Sequence, residues 1–106
     1  MIIRAKTFKA WMLANLDESQ IRDIAEHGAD SGWPGLTYYN DTCKLYNRFK
    51  EEIWEMLLED AENLGQNVFL MIGGFGGAGA VGSVEQFENL MTWYAAERIA
   101  QDVINQ

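Results

Sequence analysis

The residues between Asn40 and Gly65 do most to limit what this chain can fold into. Tyr46, Phe49, Ile53, Met56, Leu57 and Leu64 recur at helical spacing. They fall within a stripe about 100° wide, the width a helix buries against a core. Glu51, Glu52, Glu55, Glu59 and Glu62 fall on the opposite side. Asn40, Asp41 or Thr42 can cap the start, and Gly65 stands where a helix should stop. A helix over 41–64 is about 35 Å long at about 1.5 Å per residue. Such a rod needs several neighbours to cover its apolar side, which makes it the expected centre of a helical bundle. Trp54 and Leu58 are i,i+4 neighbours on a flank between the two faces, and point to a second contact with another helix or another chain.

The flanking segments supply those neighbours. Thr7 is a plausible N-cap, and Phe8, Trp11, Met12 and Leu16 follow at helical spacing. Asp17 with Gln20 reads as a capping box opening a second helix, whose apolar face is Ile21, Ile24 and Ala25. Gly28 takes the C′ position after His27. Two short helices therefore meet at a corner near Leu16–Asp17. From Gly28 to Asn40, Pro34 and the glycines exclude a continuous helix. Trp33, Tyr38 and Tyr39 in that loop are expected to fold back onto the core or to anchor a partner. Ser83 with Gln86 reads as another capping box, and Phe87, Leu90, Met91, Tyr94 and Ala95 continue a last helix over about 84–104.

Between these lies Val68–Ser83, VFLMIGGFGGAGAVGS. Gly74, Gly76 and Gly79 spell the dinucleotide-binding string G-x-G-x-x-G. The context fails, because the helix signal begins only at Ser83 and no second strand follows. Gly77 to Ser83 approaches a phosphate-binding loop, but the lysine is missing and none follows Lys50. Insertion into a membrane is disfavoured too: the stretch is too short to span and has no basic flank. A short buried helix, Val68 to about Phe75 with Asn67 as cap, is the better reading. Gly73 and Gly74 would then let another helix approach closely. A buried strand over 68–72 is the competing local form, but a lone strand leaves its backbone unpaired.

These segments predict an all-α fold, a compact bundle of about five helices with the 41–64 helix at its centre, in a single domain spanning 1–106. Apolar residues at 48% and charged residues at 23% of the 106 suit a packed globule. The charge is uneven. Residues 1–16 hold Arg4, Lys6 and Lys9 and no acid, whereas residues 51–106 hold ten acids against Arg98 alone, a net −9. The whole chain carries −8, which repels phosphate backbones and argues against direct nucleic-acid binding. The same field steers the chain toward a basic surface, including one that normally holds nucleic acid. No apolar window is long enough for a membrane span, and Lys9 and Asn15 break the first apolar stretch before it can serve as a secretion signal. A cytoplasmic protein is expected.

Catalytic chemistry finds little support. One cysteine, Cys43, and one histidine, His27, exclude an internal disulfide and a Cys/His zinc site. His27 is expected to meet the carbonyls ending its helix. Cys43 is expected in the first turn of the long helix, where a thiolate is favoured, although packing is its simpler role. Acid pairs such as Glu51–Glu55 and Glu55–Glu59 lie on a solvated face with no histidine to assist. No catalytic, cofactor-binding or metal-binding residue is assigned, and no cofactor is expected.

Gly32-Trp33-Pro34-Gly35-Leu36-Thr37-Tyr38-Tyr39-Asn40-Asp41-Thr42 and Glu52-Ile53-Trp54-Glu55-Met56-Leu57 resemble a family of small uncharacterised proteins carried by phages and plasmids. The similarity continues through Gly82-Ser83 and Trp93–Arg98. It carries no functional residues, and implies a cytoplasmic accessory protein of a mobile genetic element. The function expected is therefore non-enzymatic protein–protein interaction with a host or element-encoded protein that has a basic surface. Its specific form is an anti-CRISPR or anti-restriction inhibitor of a nucleic-acid-dependent defence system. The candidate contacts are Glu51, Glu52, Glu55, Glu59, Glu62, Tyr38 and Tyr39. Two alternatives stand beside it. One is a structural or regulatory homo-oligomer joined through Trp54, Leu58, Trp93 and the glycine-rich segment. The other is a ligand-binding protein or enzyme using the aromatic loop.

Overall fold

A computed structural model describes residues 5–28, 36, 38–40, 43–76 and 82–106; for residues 38–40, 43 and 76 it describes the backbone alone. The described elements are α1 (Phe8–Asn15), α2 (Glu18–His27), β1 (Tyr38–Asn40), β2 (Cys43–Lys44), α3 (Leu45–Leu64), α4 (Val68–Gly76) and α5 (Val84–Ile104). The architecture is an all-α bundle of five helices with one very short antiparallel hairpin, β1–β2, attached.

Local signals set most helix ends. Thr7 Oγ1 accepts from the Ala10 N–H at 3.1 Å. The box at Asp17 and Gln20 is complete: the Gln20 N–H donates to Asp17 at 2.8 Å and the Asp17 N–H to Gln20 at 2.9 Å. Gly65, at φ 67°, ends α3 in the left-handed region that a non-glycine residue resists. Asn67 Oδ1 accepts from the Leu70 N–H at 2.8 Å and starts α4, so residues 68–72 are helix. At α5 the expected box is only half formed. Ser83 Oγ accepts from the Gln86 N–H, but the Gln86 side chain accepts from the Gly82 N–H at 2.7 Å. Gly82 has no side chain to displace that amide oxygen, so the reciprocal bond shifts one residue outward.

The long helix begins at Leu45, not among Asn40, Asp41 and Thr42. Asn40 pairs with Cys43 across the hairpin, and Lys44, without a side-chain cap, is the N-cap. Aromatic residues at 38–39 favour a strand, and Asn-Asp favours the turn after it. Those preferences outweigh the capping ones. The helix also departs from helical geometry at Phe49 (φ −118°, ψ 24°), whose buried ring stacks on Phe8 at 5.3 Å.

α5 shares the middle of the bundle with α3, and touches α1, α2, α3 and α4. Met91, Ala95 and Ile99 form one buried row, with Thr92, Ala96 and Ala100 beside it. Four of these six side chains are small, so neighbouring helices can approach α5 on a wide front. The buried Thr92 hydroxyl donates to the Glu88 carbonyl at 2.9 Å, which satisfies it locally. α3 buries Leu45, Tyr46, Phe49, Ile53, Leu57 and Ala61, while Met56 is partly covered. Leu64, expected in the stripe, is 61% exposed, whereas Ala61 in the same turn is buried. Leu36 is buried, so this one position of the 28–40 segment lies in the core. Trp33 lies outside the described residues.

Gly73 and Gly74 do not mark a close helix approach. A methyl group at either would meet nothing within 4 Å. α4 packs through Val68, Met71 and Ile72 instead.

Candidate interaction surface

The five glutamates of α3 divide into two groups. Glu52 points at the start of α1, where its Oε2 accepts the Phe8 N–H at 3.0 Å. This carboxylate caps a helix N-terminus. Glu59 lies 3.4 Å from Arg98, whose guanidinium also meets Asp60 at 3.0 Å and the Met56 carbonyl at 3.1 Å. Tyr94 completes that cluster by donating to Asp60 at 2.7 Å. Desolvation, then the bond to Asp60, push the Tyr94 hydroxyl up to about 12. Glu52 and Glu59 thus tie α3 to other helices.

Glu51, Glu55 and Glu62 remain exposed and form no ion pair among the described residues. Their spacing, with Leu58, is i, i+4, i+7, i+11, a single helical stripe. Leu58 is 55% exposed and sits within this stripe instead of on a flank. Trp54 is half-buried and donates its Nε1–H to Tyr46 Oη at 2.8 Å. The free face of α3 is therefore an acidic row with one leucine in it.

A second feature escapes any one-dimensional reading. Lys6, Asn47, Arg48, Phe49, Lys50, Glu51 and Glu52 line a cleft of about 450 Å³. Here Lys6 lies against the start of α3, so it joins Arg48 and Lys50 at one end of an acidic molecule. Glu51 belongs to that border, whereas Glu55 and Glu62 stand away from it along the helix. The uneven charge of residues 1–16 is the signal that this end would be basic. Its placement against α3 required the fold.

The remaining candidates are placed less favourably for chemistry. His27 ends α2, but its Nε2 faces Asp23 at 3.7 Å and Glu26 at 3.8 Å. Those carboxylates, not the helix carbonyls, are its near partners. Cys43 lies on β2, ahead of the N-cap of α3, and not in the first turn of that helix; its side chain lies outside the described residues. Tyr38 and Tyr39 are carried by β1, and their side chains lie outside the described residues. Among the described residues no three His, Cys, Asp or Glu side chains converge as a metal site, and no helix is long and apolar enough to cross a membrane.

Glu97 was not singled out by its sequence context. Burial holds its carboxyl above the ordinary range, and it lies against Gly28 at the end of α2.

No curated protein and no solved structure matches the chain. Residues 5–106 match the model of a domain of unknown function, DUF7222, and the chain belongs to that family.

Proposed function

We propose that this protein is a non-enzymatic accessory protein that binds a basic protein surface through the exposed face of α3. The observation that carries the reading is the exposed row Glu51, Glu55 and Glu62 around Leu58, which forms no ion pair among the described residues. Glu52, Glu59 and Asp60 meet Phe8, Arg98 and Tyr94, whereas these three are exposed. An acidic rod of this kind competes for a groove that normally holds a phosphate backbone. The similarity to proteins of phages and plasmids makes the specific role inhibition of a nucleic-acid-dependent defence system, of the anti-CRISPR or anti-restriction type, in the cytoplasm.

The test is phage plating on cells with an active restriction or CRISPR system. Expression of the protein should raise plating efficiency, and the charge reversals Glu51→Lys, Glu55→Lys and Glu62→Lys together should abolish the gain. Complex formation should also weaken steeply with salt. Protection that survives the triple reversal removes the electrostatic reading. Leu58, exposed on the same stripe, supports the second reading, a homo-oligomer joined through Leu58 with Trp54 and Trp93. A strict monomer in sedimentation at high concentration eliminates it.

A further inference from the structure

We infer that the face formed by α4 and the first turn of α5 seats the apolar side chains of that same partner, and that the segment docking there is a basic amphipathic one. This inference rests on the reading above and adds a second contact to it.

α4 has no polar side chain, yet it buries only Val68, Met71 and Ile72 well. Phe69 is 61% exposed and Leu70 63%. The Phe69 ring stacks on Phe87 of α5 at 5.4 Å, which joins the two helices at the surface. Val84, one helical turn before Phe87, is 74% exposed. Apolar side chains gathered this way mark a contact surface more often than scattered exposed ones do.

The border selects the occupant. Glu88 follows Val84 by four residues on the same side of α5, and Glu85 stands next to Val84. Glu85 carries the local base, Lys44, at 3.3 Å. The uncharged neighbours Gln66 and Asn67 are exposed. A second copy of the chain would bring these acids face to face, and an anionic bilayer would repel them. A helix with leucine-like residues on one side and lysine or arginine beside them meets both the patch and its rim.

The probe is a synthetic helical peptide with leucine on one face and lysine on the other, labelled and followed by fluorescence anisotropy. Leu70→Glu and Val84→Glu each add negative charge, so Coulomb attraction alone would tighten binding. Weakening by at least roughly tenfold in either variant is the expected result. Val84 is so exposed that its variant should fold even if the Leu70 variant does not. Wild-type affinity in both variants overturns the inference. If Glu51→Lys with Glu55→Lys also abolishes binding in that case, the α3 reading survives alone. If those reversals have no effect while Leu70→Glu and Val84→Glu weaken binding, the patch stands and the α3 face is wrong. A wild-type dimer dispersed by Leu70→Glu, or co-flotation with phosphatidylcholine vesicles, overturns it in favour of a second copy or a membrane.

Discussion

The Tyr94 hydroxyl donates to the Asp60 carboxylate across 2.7 Å, and this bond locks α5 to α3. Asp60 is held at the same time by Arg98 at 3.0 Å, and the ring of Phe75 packs edge-on against Tyr94 at 5.3 Å. Three helices therefore meet at one polar cluster.

Tyr94→Phe should destabilise the fold by about 1.5–2 kcal/mol, the lower part of the range for a hydrogen bond to a charged group, because Arg98 still satisfies Asp60. Chemical denaturation measures it. The pH dependence gives a second check. Tyr94 is raised from 10.0 to about 12 by burial and by Asp60. Its folded state favours the protonated form, so this contribution is complete below pH 10.0 and is lost as pH rises toward about 12. Across that window the Phe variant should lose stability less steeply than the wild type.

Glu52 and Glu55 lie three residues apart and should behave differently. Glu52→Ala removes the acceptor for the Phe8 N–H and should cost about 0.5–2 kcal/mol, as other cap losses do. Glu55→Ala should change stability by less than about 0.5 kcal/mol. Thermal melts of both variants decide this. Equal effects would mean that Glu52 is not a cap.

Gly28 has φ 54° and ψ −127°, a backbone region that side-chain-bearing residues seldom occupy. A methyl group there would also stand 3.1 Å from the Glu97 carboxyl. Gly28→Ala should therefore destabilise by about 1–3 kcal/mol. Glu97→Gln should act in the opposite direction at neutral pH. Burial raises the Glu97 carboxyl, so the folded state holds its proton more tightly than the unfolded one. The resulting penalty is present above the folded pKa and is relieved as pH falls through it and then through the unfolded value. The Gln variant should be more stable at neutral pH and should lose that part of the acid-side rise.

Gly73→Ala and Gly74→Ala should each stabilise α4 by about 0.5–1 kcal/mol, since the added methyl meets open space. Gly65→Ala should destabilise, because its φ of 67° belongs to the left-handed region. The opposite signs, read by denaturant midpoints, separate a glycine that ends a helix from two that stand within one.

Spacing and end signals were enough to read the number of helices, the α5 boundaries and the corner at Leu16–Asp17. These features depend on residues within a turn or two of one another. Asp17 finds Gln20, and Gly65 breaks α3, whatever the rest of the chain does. The helical state of 68–72 was legible for a similar reason: a helix satisfies its own backbone, and a lone strand does not. Long-range contacts decided the remainder. Small residues on α5 look unremarkable in one dimension, yet they let four helices converge there. The acidic ridge looked uniform until Phe8, 44 residues from Glu52, took one carboxylate and Arg98, 39 residues from Glu59, took another. The sequence by itself determined that α3 has an acidic side. Only the tertiary structure decided which of those acids remain free, because a carboxylate's partner is set by the packing of distant helices and not by its neighbours in the chain.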